Sequence, residues 1–402
     1  MRIRRHLTLE DQAESPYFGV PFDVRGARSL EVRLDYDATA AVVDLGCEGA
    51  GGWRGWSGGA KERFVITPER ASGGYLPGEL EDGEWNVVLG LHRIPPQGID
   101  VMLDISLPAT GEVEPEPIPP RPASGTRNTR RRDLPSQRGL TWLAGDCHAH
   151  SLHSDGRLSV RQLAAHAVER GLDFLAVTDH NTVSHFPELA GAGAEYGITL
   201  LPGQEVTTAR GHANAFGRIG WVDFRRHPDH WLDQAEDGGG FLSVNHPLAD
   251  DCAWQWSLSR RPSHAEVMHS TWLARPADTG MWAWWTAWGT DVVPLGGGDF
   301  HRLEDGHPAG APTTWVAAEG DGEEEVFAAL REGRTALSVG TDGPLLLRVD
   351  GQLTAVDAEG AVFVTIDGRR RVVQKALEEL PEADDGPYRL ETPDRRILAI
   401  TR

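Results

Sequence analysis

Cysteine is scarce in this chain. The three that occur in 402 residues, Cys47, Cys147 and Cys252, are odd in number and far apart, which argues against a disulfide framework. Long apolar runs are missing too: no stretch reaches the ~18 residues that a membrane-spanning helix needs. The opening MRIRRHLTLEDQ has none of the apolar segment of a signal peptide. These absences predict a soluble, cytoplasmic protein. Positive charge is also short, with 39 Lys and Arg against 60 Asp and Glu and a net charge of −21. Such a chain lacks the basic footprint needed to bind long nucleic acid or an anionic membrane. A small anionic substrate stays compatible, because a bound metal inverts the local field. Histidine is nearly absent from the first third: of 16, only His6 and His92 precede residue 148. The chemistry therefore belongs to the middle of the chain.

The length allows roughly two or three domains. Residues 1–118 read as a β-sandwich-like domain: SLEVRLDYD, AAVVDLGCEG, ERFVITPE, GEWNVVLGLHRI and IDVMLDISLP are short alternating or β-branched runs separated by turn residues. A Pro-rich, charged stretch with Arg130, Arg131 and Arg132 follows and has a linker's composition, giving a linker over 119–139. From 140 to 343 strand and helix signals alternate. Seven apolar runs, at 141–148, 173–180, 198–206, 212–219, 240–247, 264–270 and 292–301, fit an α/β barrel better than an open sheet. Helices are predicted over 158–171 and over 321–334, the second with Asp321 and Glu324 at capping-box spacing. Residues 344–402 predict a small β-rich C-terminal unit.

The metal-capable residues fall where these runs end. His148 closes the first run, and His150 lies just beyond it. Asp179 and His180 close the second, Glu205 lies near the end of the third, and His212 opens the fourth. His246 lies near the end of the fifth, and Asp299 and His301 close the seventh. In barrels of βα units, active sites collect at the C-terminal strand ends. Residues i and i+2 of an extended strand point the same way, so His148 and His150 can share one metal, and Asp299 with His301 repeats the arrangement. Imidazole with carboxylate suits Zn, Mn or Fe.

The ordered set HAH…SDG, TDHN, GQE, GH, NHP and GDFH resembles the polymerase-and-histidinol-phosphatase (PHP) family of metallohydrolases over about 140–340. RGWSGG, GYLPGELEDGEW and ALREGRTALSVGTDGP resemble flanking segments of its carbaryl-hydrolase-like (CehA/McbA) branch. The resemblance implies a distorted (β/α)7 barrel holding two or three divalent metal ions. It assigns His148, His150, Glu205 and Asp299 to one metal. Glu205 would bridge to a second with His212 and His246, and Asp155, His180 and His301 would hold a third.

Two adjacent cations lower the pKa of a shared water and stabilise charge on the attacked group. Phosphomonoester or phosphodiester hydrolysis fits that chemistry best, and attack on a carbamate, ester or amide carbonyl is the alternative. A reading of another class is a non-catalytic metal- or carbohydrate-binding scaffold, with Trp53, Trp56 and Trp85 of the sandwich stacking on a ligand. Asp146 and Asp179 are candidates to orient imidazoles, His153 and His185 to move a proton to the leaving group, and Arg302 to meet a substrate anion. His264 and His269 carry no family match and are discounted. Met281, Trp285 and Trp288, at helical spacing, read as core or subunit contact. The sequence leaves room for a homo-oligomer.

Overall fold

A computed structural model describes residues 1–119, 132–250, 252–273, 279–381 and 386–402. The chain forms two compact units. The first is Met1–Pro117 with His150–Ser159 and Asp179–Pro187, and the second is Ile118–Ala149 with Val160–Thr178 and Glu188–Arg402.

The first unit opens with eight strands: β1 (Arg2–Leu7), β2 (Tyr17–Val24), β3 (Leu30–Asp35), β4 (Val42–Gly49), β5 (Gly52–Trp56), β6 (Arg63–Ile66), β7 (Gly83–Arg93) and β8 (Ile99–Ser106). They make two four-stranded sheets, ordered β1-β8-β3-β6 and β2-β7-β4-β5. Along β8, Ile99, Val101, Leu103 and Ile105 are buried and alternate with more exposed residues, the period of two that a half-buried strand imposes. Their side chains join Val20, Leu45, Val87 and Leu89 of the other sheet in one core. Trp85 and Trp56, considered above as ligand platforms, are themselves buried.

These strands also hold the two later segments of the unit. The Gly74 carbonyl accepts from Thr182 Oγ1 at 2.9 Å, and the Gly74 amide donates to Ser184 Oγ at 3.0 Å. Lys61 Nζ donates to the carbonyls of Gly73 and Leu152. The residues around His150 and His180 thus fold together with the N-terminal strands.

The second unit is built on β9 (Thr141–Asp146), β10 (Phe174–Val177), β11 (Thr199–Thr208), β12 (Gly211–Phe216), β13 (Phe241–Val244), β14 (His264–His269), β15 (Val293–Gly297) and β16 (Thr313–Ala318). All seven runs read from the sequence form strands here. Neighbours β9, β10 and β11 are parallel, as are β13, β14 and β15, while β12 runs antiparallel to both β11 and β13. Strands β10, β13 and β14 are buried throughout, as parallel strands covered on both faces must be. Strand β16, not read from the sequence, pairs antiparallel with β9. It meets β15 through a side chain, since Thr314 Oγ1 accepts from the Gly296 amide and donates to the Gly296 carbonyl, both at 2.8 Å.

The helix Val160–Glu169 buries Val160, Leu163, Ala164, Ala167 and Val168, a stripe at helical period. The helix Glu323–Arg331 begins with Gly322 as its N-cap and no side-chain cap. The expected Asp321–Glu324 capping box is therefore absent, and three glutamates in the first turn meet the helix dipole instead. In the helix Gly280–Trp288, Met281 and Trp285 are core residues, and Trp288 is half-buried against Trp284. Most of the expected linker, including Arg130 and Arg131, lies outside the described residues. Arg132 is not a solvated linker charge: it donates to the Thr341 and Gly343 carbonyls.

Strand β17 (Thr335–Ser338) leads into β18 (Leu345–Val349), β19 (Gln352–Val356), β20 (Val362–Val364), β21 (Arg370–Val372), β22 (Leu377–Glu379), β23 (Tyr388–Glu391) and β24 (Ile397–Thr401). Leu346, Leu353, Phe363, Tyr388 and Leu390 form their core. Among the described residues no helix is long and apolar enough to cross a membrane.

Candidate metal centre

In the second unit, five strands deliver ionisable side chains to one place. His148 follows β9, Glu205 lies within β11, His212 within β12, His246 just past β13, and Asp299 just past β15. The antiparallel turn of β12 explains why His212 opens its strand whereas its counterparts close theirs. It lies opposite Thr207, two residues beyond Glu205. Glu205 Oε1 sits 3.1 Å from His212 Nδ1, 3.3 Å from His246 Nε2 and 3.3 Å from His148 Nε2. Asp299 Oδ1 is 3.2 Å from His148 Nε2. Glu205, His148 and His246 are almost fully buried. His246 and Asp299 hold positive φ angles of 25° and 50°, sparsely populated for such residues and frequent at functional sites. His301 Nδ1 lies 2.8 Å from the Asp299 carbonyl oxygen.

Two residues of β14 join this group although the sequence reading passed over them. Glu266 Oε1 lies 2.7 Å from His148 Nδ1, and Glu266 Oε2 accepts from the His246 amide at 2.8 Å. His269 Nε2 is 3.6 Å from Asp299 Oδ2. Strict alternation would set Glu266 and His269 on opposite faces. A bulge between Glu266 and Met268 shifts the register against β15, so both reach the same cluster with His148 and His246.

In the first unit, His150, Asp155 and His180 bring ligand atoms within 4.8 Å of one another. The two rings stack at 4.3 Å, and His180 Nε2 lies 3.5 Å from Asp155 Oδ1. Behind them, Asp179 Oδ1 accepts from the Ser151 amide (2.8 Å) and Ser154 Oγ (2.6 Å), and its Oδ2 faces Ser151 Oγ at 2.6 Å and His185 Nδ1 at 3.2 Å. Burial pushes the Asp179 carboxyl up, but His185, His153 and His150 outweigh it and bring its pKa down to about 2. His153 Nδ1 meets Ser184 Oγ at 2.7 Å, and its Nε2 lies 3.4 Å from Glu116.

The family model of the PHP domain matches residues 146–268. That stretch is similar to a PHP domain. Among curated relatives, it is 41% identical over 63 residues to a 5'-3' exoribonuclease of Haemophilus influenzae, covering 16% of this chain and 23% of that protein. It is 39% identical over 66 residues to a 3',5'-nucleoside bisphosphate phosphatase of Chromobacterium violaceum, again covering 16% and 23%. The chain thus spans less than a quarter of the length of these relatives. A solved two-domain protein of Bacteroides vulgatus, containing a predicted PHP-like metal-dependent phosphoesterase, is similar with a TM-score of 0.41 and 17% identity. That match covers 67% of this chain and 97% of the other.

Two side chains expected at the site do other work. Asp146 does not orient an imidazole. Its Oδ1 accepts from the His148 and Gly298 amides and its Oδ2 from the Gly310 amide, all within 3.0 Å. Burial lifts its pKa to about 6 despite these donors. It ties the chain after β9 to the chain after β15. Arg302 forms a half-exposed ion pair with Asp305 at 2.8 Å, a surface contact rather than a charge held in the cluster. Glycines 297 and 298 have a steric role. A Cβ on Gly297 would lie 2.0 Å from Glu266 Oε1, and one on Gly298 would lie 2.4 Å from Asp146 Oδ2.

The electrostatics show what the cluster accepts. Burial alone would depress the pKa of His148, yet Glu266, Asp299 and Glu205 hold it well above the ordinary imidazole range. His246 is raised likewise against burial, with Cys252 and Glu205 the strongest opposing groups. Three carboxylates in a buried space thus demand positive charge. Imidazole nitrogen and carboxylate oxygen are donors for a divalent transition metal, so the residues fit the metals that the resemblance implies.

Proposed function

We propose that the protein is a metal-dependent hydrolase of the phosphoesterase type, acting on a small anionic phosphomonoester or phosphodiester. The observation that carries this reading is Glu205, whose single oxygen Oε1 lies within 3.3 Å of nitrogens from His148, His212 and His246. A carboxylate so shared could serve two cations. His148, His150, Glu205 and Asp299 would hold one metal. Glu205, His212 and His246 would hold a second, and Asp155, His180 and His301 a third. His150 follows His148 by two residues, and His301 follows Asp299 by two. Two or three ions of Zn, Mn or Fe would lower the pKa of water and neutralise charge on a phosphoryl group.

The chain's own residues have narrower tasks in this proposal. Asp179 fixes the backbone and hydroxyl of Ser151 beside His150. His185, enclosed against Asp179, holds that carboxylate rather than serving a leaving group. His153, with Glu116 behind it, is assigned to proton transfer. The names of the exoribonuclease and bisphosphate phosphatase relatives support a phosphoester, and the net charge of −21 favours a small substrate over long nucleic acid. We take the strand row β9–β15 as the distorted (β/α)7 barrel. The flanking-motif resemblance supports the carbaryl-hydrolase-like branch.

The test assays the full chain loaded with Mn2+ or Zn2+ on p-nitrophenyl phosphate, bis-p-nitrophenyl phosphate and 1-naphthyl methylcarbamate. Phosphoester turnover that a chelator abolishes, and that Glu205→Gln reduces by at least about 100-fold, is expected. Turnover of the carbamate alone would overturn the phosphoesterase reading.

A further inference from the structure

The bulged strand β14 places Glu266 behind two histidines of the cluster. Its carboxylate is buried at 1% exposure and has both oxygens engaged. Oε1 faces His148 Nδ1 at 2.7 Å, and Oε2 accepts the His246 backbone N–H at 2.8 Å. A carboxylate only accepts hydrogen bonds, so the proton between Glu266 and His148 belongs to Nδ1. Whenever the ring is neutral, as a metal ligand must be, its Nε2 lone pair is thereby left facing Glu205 and Asp299, at 3.3 and 3.2 Å. The other contact secures the backbone of His246 at its positive φ of 25°.

His269 is governed the other way. Its Nδ1 accepts from the Thr271 amide at 3.3 Å, so the neutral ring carries its proton on Nε2, the nitrogen directed at Asp299. Within one strand, Glu266 presents a neighbour's lone pair to the cluster, whereas His269 presents an N–H.

We propose that Glu266 is a positioning residue for metal binding: it fixes the His148 tautomer that exposes Nε2 and sets the His246 backbone, without being a ligand itself. Carboxylates behind metal-binding histidines act in this way, and their loss typically weakens metal binding 10–100-fold. The inference rests on the metal-dependent reading above.

Glu266→Gln tests it with little change of shape. The fixed N–H of His246 claims the amide oxygen of Gln, which turns the amide NH2 toward His148 Nδ1. That ring must then carry its proton on Nε2, where a metal would bind. Isothermal titration of the metal-free full chain with Zn2+ and with Mn2+, for wild type, Glu266→Gln and Glu266→Asp, reads the effect. We expect Glu266→Gln to lose about 10–100-fold in affinity while the metal-free protein melts at the wild-type temperature. Glu266→Asp, which keeps an acceptor toward Nδ1, should recover part of the loss. The visible spectrum of the Co2+-loaded protein should change in Glu266→Gln, because a ligand is lost.

Wild-type affinity and an unchanged Co2+ spectrum in Glu266→Gln would overturn the positioning role and leave the metal-dependent reading standing. A wild-type chain that binds neither ion would overturn both. Weaker binding that merely follows a lower melting temperature of the metal-free variant, with no rescue by Asp, would also overturn it, since that pattern belongs to a structural residue.

Discussion

Residues with the same side chain do different work here according to what stands behind them. His148, His246 and His269 share one cluster. Glu266 beside the His148 ring and the Thr271 amide beside the His269 ring bear on which nitrogen each presents, whereas Glu266 meets only the backbone of His246. His264, two residues before Glu266, stays outside that chemistry. It is buried, stacks on Phe241 at 4.0 Å and bonds to the Leu330 carbonyl at 3.0 Å. Burial lowers its pKa to about 4. A histidine whose folded pKa is depressed contributes stability above its unfolded pKa of about 6.5, and loses it as pH falls toward 4. Wild type should therefore lose up to about 3 kcal/mol more than His264→Leu between those limits. The Leu variant should show a pH-independent offset in its place. Thermal melts of both across pH 4–7 measure the difference, and parallel pH curves would refute it.

At the scale of elements, the strand ends were legible in the sequence because candidate ligand pairs such as His148 with His150 follow the two-residue period of a strand. It could not show the bulge in β14, which is a local backbone choice with no residue signature, so Glu266 and His269 were passed over. Nor could it show that Asp146 bonds three backbone amides, because that requires β15 and the Gly310 turn to be close by. His212 opens its strand because β12 pairs antiparallel with β11, a reason that lay in the pairing and not in the sequence. The Trp-rich segment is another element-scale case. Trp285 is fully buried and donates to the Val292 carbonyl at 3.1 Å, whereas Trp288 is half-buried. Trp285→Ala should cost about 3–5 kcal/mol and Trp288→Ala less than about 1.5 kcal/mol, read by urea unfolding. Equal losses would mean that the helix Gly280–Trp288 does not pack as described.

For the whole molecule, acid exceeds base, so a bound cation would also support the fold. Glu205, Glu266 and Asp299 bury negative charge in one unit, and a bound divalent ion would relieve their repulsion. Ligand binding to the folded state alone stabilises by about 2.7 kcal/mol at 100 times Kd. Calorimetry should accordingly show a lower melting temperature after a chelator strips the protein, and recovery when Mn2+ or Zn2+ is restored. A chelator-insensitive melt would contradict the fit of the cluster to metal.

The bonds from Gly74 to Thr182 and Ser184, and from Lys61 to Leu152, have a consequence for heredity. Two segments that carry His150, Asp155 and His180 fold with Lys61, Gly73 and Gly74, which are encoded far upstream. The N-terminal region is therefore no detachable cassette. A gene fusion that exchanged it at residue 118 would keep every histidine from 148 onward and still remove the backbone partners of two of their loops. Variants of this architecture are expected to be inherited, duplicated and recombined with both segments kept together.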